Sequence, residues 1–143
     1  MRQDSIRLLN ECHYGASMAV SAINAVLDNV QDSQLRLKLE ESRTLHEALG
    51  QEAAGILRRA GLDGREPGPM TRSMAQMKTN LRMALHPADS TAATLVSDGC
   101  HVGTKTLARQ LNRLSGADVQ ARDITRRLIG IEDKLSGSLR PYL

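Results

Sequence analysis

The chain has 143 residues, of which 41% are hydrophobic and 24% charged, a balance typical of one globular domain and unlike a disordered or fibrous protein. It contains no Phe, no Trp and only two Tyr, so it lacks the aromatic platforms on which single-stranded nucleic acids stack. The formal net charge is only +3 and the basic residues are scattered along the chain, which argues against nucleic-acid binding.

The first two helices are predicted from hydrophobic periodicity and form a hairpin over residues 1–61. The second helix begins near Asp32 or Ser33, both good N-caps, and ends at Gly61. A short connection makes the two helices antiparallel neighbours. The predicted core-facing positions are Ile6, Leu9, His13, Ala16, Val20, Ile23, Leu27 and Val30 in the first helix, and Leu35, Leu39, Ser42, His46, Leu49, Ala53, Ile56 and Ala60 in the second.

Residues 62–88 are predicted as a loop and a short crossover helix. Gly and Pro residues mark the loop, and the helix runs from about Met70 to Leu85 before His86-Pro87 ends it. Met70, Met74 and Met77 lie on one side of this helix. Because Met fills irregular gaps, this stripe is expected to pack on the bundle; a partner or dimer surface and an interfacial membrane helix are the alternatives.

The last two helices form a second hairpin over residues 89–143. One begins at Asp89 or Ser90 and closes at Ser115-Gly116, and the other runs from about Asp118 to near Leu139. Their predicted core-facing positions are Ala93, Val96, Cys100, Gly103, Leu107, Leu111 and Leu114, then Ala121, Ile124, Leu128, Ile131, Leu135, Ser138 and Tyr142. Residues 1–143 are therefore predicted to be a single all-α domain, an antiparallel four-helix bundle made of two hairpins.

An internal repeat relates the two hairpins, since Cys12-His13-Tyr14-Gly15 is matched by Cys100-His101-Val102-Gly103. The order of hairpin, crossover helix and hairpin, with a Cys-x-x-Gly element in the first and third helices, resembles the small uncharacterised bacterial proteins of the ferritin-like four-helix superfamily. The resemblance covers nearly the whole chain and implies a ferritin-like fold.

The ligands of a di-iron centre, however, are missing from the sequence. Ferritin-like proteins with a dinuclear metal need a Glu from each of two helices and a Glu-x-x-His pair from each of the others. No Glu-x-x-His occurs, and the fourth helix reads Glu132-Asp133-Lys134-Leu135. The expected central positions are poor in oxygen donors: Ala16, Ser42, Thr104, Leu128 and Ile131. We therefore expect no cofactor and neither oxidase nor iron-storage activity.

Two functions remain open. The first is a non-catalytic structural or protein-interaction module that self-associates or binds a protein partner. The second is metal binding at the bundle centre, for example of Zn or Cu, with candidate ligands His13, His46, Cys12, Cys100 and His101. The alternative explanation of these residues is packing, with buried thiols, hydrogen-bonded imidazoles, and close helix approach at Gly15 and Gly103.

The sequence predicts no enzyme and no membrane span. On a helix, a Cys followed directly by a His does not place the imidazole against its own thiol, because adjacent side chains point about 100° apart. No apolar run reaches the roughly 18 residues that a membrane-spanning helix requires. Two Cys do not form a secreted disulfide framework, so we expect a cytoplasmic protein with reduced thiols.

Overall fold

The computed structural model describes residues 1–63 and 82–143, and within these ranges the protein is helical, without strands. Its long helices are α1 (Gln3–Leu27), α2 (Ser33–Arg59), α3 (Asp89–Arg113) and α4 (Val119–Leu139), followed by a 3-10 turn (Arg140–Tyr142). The predicted all-α bundle of two hairpins is confirmed. Residues 82–85 are helical, whereas Met70, Met74 and Met77 lie outside the described residues.

Local hydrogen bonds explain where α2 begins and ends. The Asp32 side chain accepts from the backbone N–H of Leu35 at 2.8 Å, which caps the start of the helix. Gly61 has a φ of +76°, a left-handed conformation that favours glycine. The Leu62 N–H reaches back to the Leu57 carbonyl at 2.9 Å and closes the last turn. The predicted boundaries of this helix are confirmed.

Each hairpin begins against the turn of the other hairpin. At one end, which we call the basal end, Asp4 Oδ2 near the start of α1 accepts from the Gly116 N–H between α3 and α4 at 2.9 Å. At the opposite, distal end, Asp89 at the start of α3 accepts from the N–H groups of Gln31 and Asp32 at 2.8 and 3.0 Å. These bonds place the beginning of α3 beside the turn between α1 and α2.

The direction of the helices follows from these two ends. Because α2 finishes at the basal end and α3 starts at the distal end, they run the same way, and residues 60–88 join opposite ends of the bundle. Helix α1 packs against α2 and α3, and α4 packs against the same two helices. Every neighbouring pair is therefore antiparallel, and α1 and α4 also touch across the diagonal.

The core consists of two aliphatic clusters, one toward each end. Leu, Ile, Val and Ala dominate both, with one Cys in each. Fully buried members of the basal cluster include Leu8, Leu57, Ile124 and Leu128. Their counterparts in the distal cluster include Ile23, Leu35, Leu39 and Leu139, and Met83 from the end of the connecting segment is also buried there.

Several predicted core-facing positions in α1 and α4 were wrong. In α1, His13 and Val20 are only half-buried. In α4, Ser138 is half-buried, and Ile131, also half-buried, packs against the edge of the basal cluster. The interior positions are Leu8, Cys12 and Val26 in α1, and Thr125, Glu132 and Leu139 in α4. Residues spaced three or four apart are compatible with two neighbouring faces of the same helix. Choosing the apolar residue at each turn of the helix omitted the buried polar side chains from the predicted core.

The distal contact of Asp89 provides a test of the topology. Replacing Asp89 by Ala removes two charge-assisted hydrogen bonds between the hairpins and should lower the free energy of unfolding by about 1–3 kcal/mol. Asp98→Ala, at an exposed position of the same helix, should change it by less than about 0.5 kcal/mol. Urea denaturation measures both, and equal effects would contradict this account.

Candidate functional site

A polar layer separates the two aliphatic clusters at the middle of the bundle. Ser42 and His46 on α2 and Glu132 on α4 form this central polar layer, and Gly103 on α3 faces it. His46 is fully buried and Glu132 is 4% exposed. An ionisable pair so deeply buried is uncommon, because removing charge from water is costly unless it is compensated.

The imidazole of His46 is held by its own helix. Its Nδ1 lies 2.8 Å from the Ser42 carbonyl and 3.2 Å from the Ser42 hydroxyl. Since a carbonyl oxygen only accepts, Nδ1 carries the hydrogen and donates it. In the neutral ring, Nε2 then presents a lone pair toward α4.

Glu132 meets that lone pair with a carboxylate. Its Oε1 lies 3.6 Å from His46 Nε2, which is too long for a direct hydrogen bond. Among the described residues, neither His46 Nε2 nor Glu132 Oε2 has a hydrogen-bond partner. His46 Nε2 and Glu132 Oε1 therefore lie 3.6 Å apart in the interior without a direct hydrogen bond between them.

The carboxylate fits beside α3 because that helix has a glycine there. A Cβ placed on Gly103 would collide with Glu132 Oε2 and lie 2.7 Å from Oε1. Gly103 thus makes room for a side chain, and the expected close helix approach occurs at Gly50 instead, where an added Cβ would lie 3.0 Å from the Ala16 Cβ. Nothing lies within 4 Å of such a Cβ at Gly15.

The two candidate thiols lie in different clusters. Cys12 belongs to the basal cluster and its Sγ is 3.2 Å from Thr125 Oγ1. Since the Thr125 hydroxyl donates to the Ala121 carbonyl, the thiol is the donor. Burial raises the pKa of Cys12 to about 11. Cys100 lies in the distal cluster, where burial and the charge of Glu132 raise its pKa to about 12. Both thiols are free and protonated at neutral pH, a poor state for a nucleophile or a metal ligand.

The other two candidate histidines lie apart from the central polar layer. His13 is half-buried on the surface of α1, and its Nδ1 is 3.1 Å from the Gly50 carbonyl, to which it donates. His101 is exposed on α3, where its Nε2 is 3.0 Å from the Ser136 hydroxyl. The expected set of His and Cys ligands is therefore dispersed, and in residues 1–63 and 82–143 no three His, Cys, Asp or Glu side chains form a group suited to a metal ion.

A surface cleft of about 360 Å³ between α1 and α2 contacts the central polar layer. His13, Ser17, Asn24 and Glu47 are among the polar residues along it, and His46 is part of its lining. His13 and His46 share this cleft and therefore lie at a similar height along the bundle. The sequence did not identify Glu132, which lies on the far side of His46.

Charge is distributed unevenly along the bundle. The basal half (1–17, 47–63 and 102–130) contains ten Lys and Arg against seven Asp and Glu, whereas the described distal half has six against eight. Six exposed arginines lie at or near the basal end, and none belongs to an ion pair among the described residues: Arg2, Arg7, Arg58, Arg59, Arg109 and Arg113. Residues scattered in sequence are thus gathered at one end.

Neither family models, curated proteins nor solved structures give a match to this chain. Within the described ranges, no helix is long and apolar enough to cross a membrane.

The raised thiol pKa values predict a loss of stability at alkaline pH. A thiol that is harder to ionise in the folded state stabilises the fold below the unfolded pKa of 9.0, and this stabilisation is lost as pH rises toward the folded values. At pH 10 the loss should be about 1 kcal/mol for each thiol. Cys12→Ala and Cys100→Ala should each flatten the decline measured by urea unfolding between pH 8 and 10. A slope equal to that of the wild type would contradict this prediction.

The fit of Glu132 beside Gly103 predicts opposite outcomes for two glycines of α3. Gly99→Ala, where nothing lies within 4 Å of the new Cβ, should stabilise the protein by about 0.5–1 kcal/mol through helix propensity. Gly103→Ala displaces a buried carboxylate and should be less stable than Gly99→Ala by about 1–3 kcal/mol. Thermal unfolding of the two variants makes the comparison, and similar melting temperatures would exclude a tight contact.

Proposed function

We propose that the protein is a non-catalytic interaction module whose basal end binds a carboxylate-rich surface of a protein partner. The observation that supports this proposal is the group of exposed basal arginines. Two of them, Arg58 and Arg59, lie in the last turn of α2, and Arg113 lies in the last turn of α3. Guanidinium groups bind carboxylates with paired, directional hydrogen bonds, which favours Arg at protein interfaces.

The topology accounts for this concentration of charge. Arginines near a helix C-terminus interact favourably with the helix dipole, so their presence at the end of one helix does not by itself indicate a partner. Here α2 and α3 run parallel, so both arginine-bearing ends lie at the basal end. Two nearby acidic groups are already engaged, since Asp4 and Asp118 accept backbone N–H bonds. The arginines keep their capacity to bind a further anion.

A protein partner agrees better with this surface than a nucleic acid does. The arginines lie at the end of a bundle roughly 20 Å across and do not follow a long groove. Of the two tyrosines, Tyr142 lies beside the distal cluster, and Tyr14 lies within α1, eleven residues after the first residue of the helix. Self-association is the simplest form of the proposal, because the described part of the distal half of a second copy carries two more acidic than basic residues.

The proposal includes a ferritin-like origin without a di-iron site and a cytoplasmic location. One long connection between opposite ends of a bundle of two hairpins is the connectivity found in ferritin-like folds, which supports the first. The repeated Cys-His-x-Gly element supports duplication of a hairpin. Two buried free thiols agree with a reducing compartment.

Charge reversal at the two ends tests the interaction. Arg58→Glu with Arg59→Glu should abolish binding of fluorescent poly-L-glutamate, measured by anisotropy at physiological salt, and should reduce any self-association seen by sedimentation. Lys134→Glu with Arg140→Glu makes the same change in net charge in the distal half and should leave both measurements near the wild-type values.

Two results would contradict the proposal. Equal losses in the two double variants would mean that net charge, and not the basal end, controls binding. Binding of a DNA duplex in preference to poly-L-glutamate at the same salt concentration would assign the basal end to nucleic acid. Circular dichroism of each variant confirms that the helices are intact.

A further inference from the structure

The buried pair of His46 and Glu132 is not explained by the proposed interaction at the basal end. The two groups lie in the interior, 0% and 4% exposed, and an exposed protein-binding surface does not require them. Nor do they add obvious stability, since a buried polar pair left without full hydrogen bonding is less favourable than apolar side chains of similar volume.

The chemistry of the two groups is that of Lewis bases. The Nδ1–H of His46 is committed to the Ser42 carbonyl, so Nε2 is the free nitrogen of the neutral ring. The carboxylate of Glu132 contributes two more electron-pair donors, of which Oε2 has no hydrogen-bond partner among the described residues. An electrophile located between His46 Nε2 and Glu132 Oε1 would satisfy both of these atoms.

The distance agrees with two ligands of one ion. Zinc-type ions bind imidazole nitrogen at roughly 2.0–2.1 Å and carboxylate oxygen at roughly 2.0–2.2 Å, which puts the two donor atoms about 3.4 Å apart in tetrahedral geometry. His46 Nε2 and Glu132 Oε1 are 3.6 Å apart. The hydrogen bond from Nδ1 to a carbonyl is also the usual arrangement behind a metal-bound histidine.

We infer that His46 and Glu132 form a mononuclear site for a divalent ion of the Zn²⁺ or Co²⁺ class. The inference is independent of the proposed interaction module. Because no third His, Cys, Asp or Glu completes a group within the described ranges, the protein supplies one nitrogen and up to two oxygens from a single carboxylate. Water or small anions occupy the one or two remaining positions, so the ion is exchangeable and the bundle folds without it.

The surroundings of the site determine access and selectivity. His46 is part of the lining of the cleft between α1 and α2, and Glu132 lies on the other side of the buried imidazole, so entry of an ion requires a local opening of the bundle. Gly103 leaves the space that the carboxylate occupies, so a larger residue there would displace a ligand. With a nitrogen ligand and few oxygens, the site favours Zn²⁺ or Co²⁺ over Mg²⁺ or Ca²⁺.

The experiment is a Co²⁺ titration of the full chain, purified without a histidine tag and stripped with a chelator. We expect visible absorption bands that saturate at one ion per chain and disappear when Zn²⁺ is added. His46→Gln and Glu132→Gln should each weaken binding about tenfold or more. Gly103→Ala should weaken it through displacement of the carboxylate.

Matched controls distinguish this site from the other candidates. His13→Gln, in the same cleft, and His101→Gln, on the surface of α3, should bind as the wild type does. So should Cys12→Ser and Cys100→Ser, without a sulfur-to-cobalt charge-transfer band. A second measurement is the melting temperature, which Zn²⁺ should raise in the wild type but not in Glu132→Gln.

The inference is overturned by any of three results. In the first, the wild type binds no Co²⁺ or Zn²⁺ at micromolar concentrations, so that a proton or a water would lie between His46 and Glu132. In the second, binding survives in both His46→Gln and Glu132→Gln. Or binding is lost in His13→Gln, which would place the ion in the cleft. If His46→Gln does not fold, as judged by circular dichroism, Glu132→Gln and Gly103→Ala decide the outcome.

Discussion

A carboxylate in the interior of an aliphatic bundle is the constraint on which much of this structure depends. Glu132 lies where a Leu would pack well, between Leu128 and Leu135 of the same helix. To hold it there, α3 has a glycine and α2 presents an imidazole that is fixed by its own backbone. The two apolar clusters are consequently separate. The middle of the bundle contains polar groups, while the ends provide the hydrophobic stabilisation.

The helices could be predicted from the sequence because their determinants are local. Asp32 and Gly61 mark the limits of α2, and periodic Leu and Ala residues define its interior face, which was identified correctly from Leu35 to Ile56. The site was harder to predict for a physical reason. Whether Ile131 or Glu132 faces the centre depends on which helices surround α4, and the apolar pattern favoured Ile131.

The same limitation applies to the candidate ligands. Four of the five proposed residues, His13, Cys12, Cys100 and His101, lie away from the pair that meets at the centre. Of the five, only His46 lies at the centre of the bundle, where its position in the helical repeat of α2 had placed it. Its partner was missed because a Glu followed by Asp and Lys has the composition of a solvated surface. Gly103 was a signal in the sequence, because a glycine inside a helix, away from any turn, indicates that a neighbouring group needs the space of a side chain.

The reciprocal contacts at the two ends have a consequence for cooperativity. The turn between α3 and α4 donates backbone N–H groups to Asp4 and Ser5 of the first hairpin, and the turn between α1 and α2 donates them to Asp89 of the second. Neither hairpin contains all the groups that form hydrogen bonds with its own turn. An isolated half would thus leave amide groups unsatisfied and an apolar face uncovered, so the halves gain order together and the bundle behaves as one folding unit.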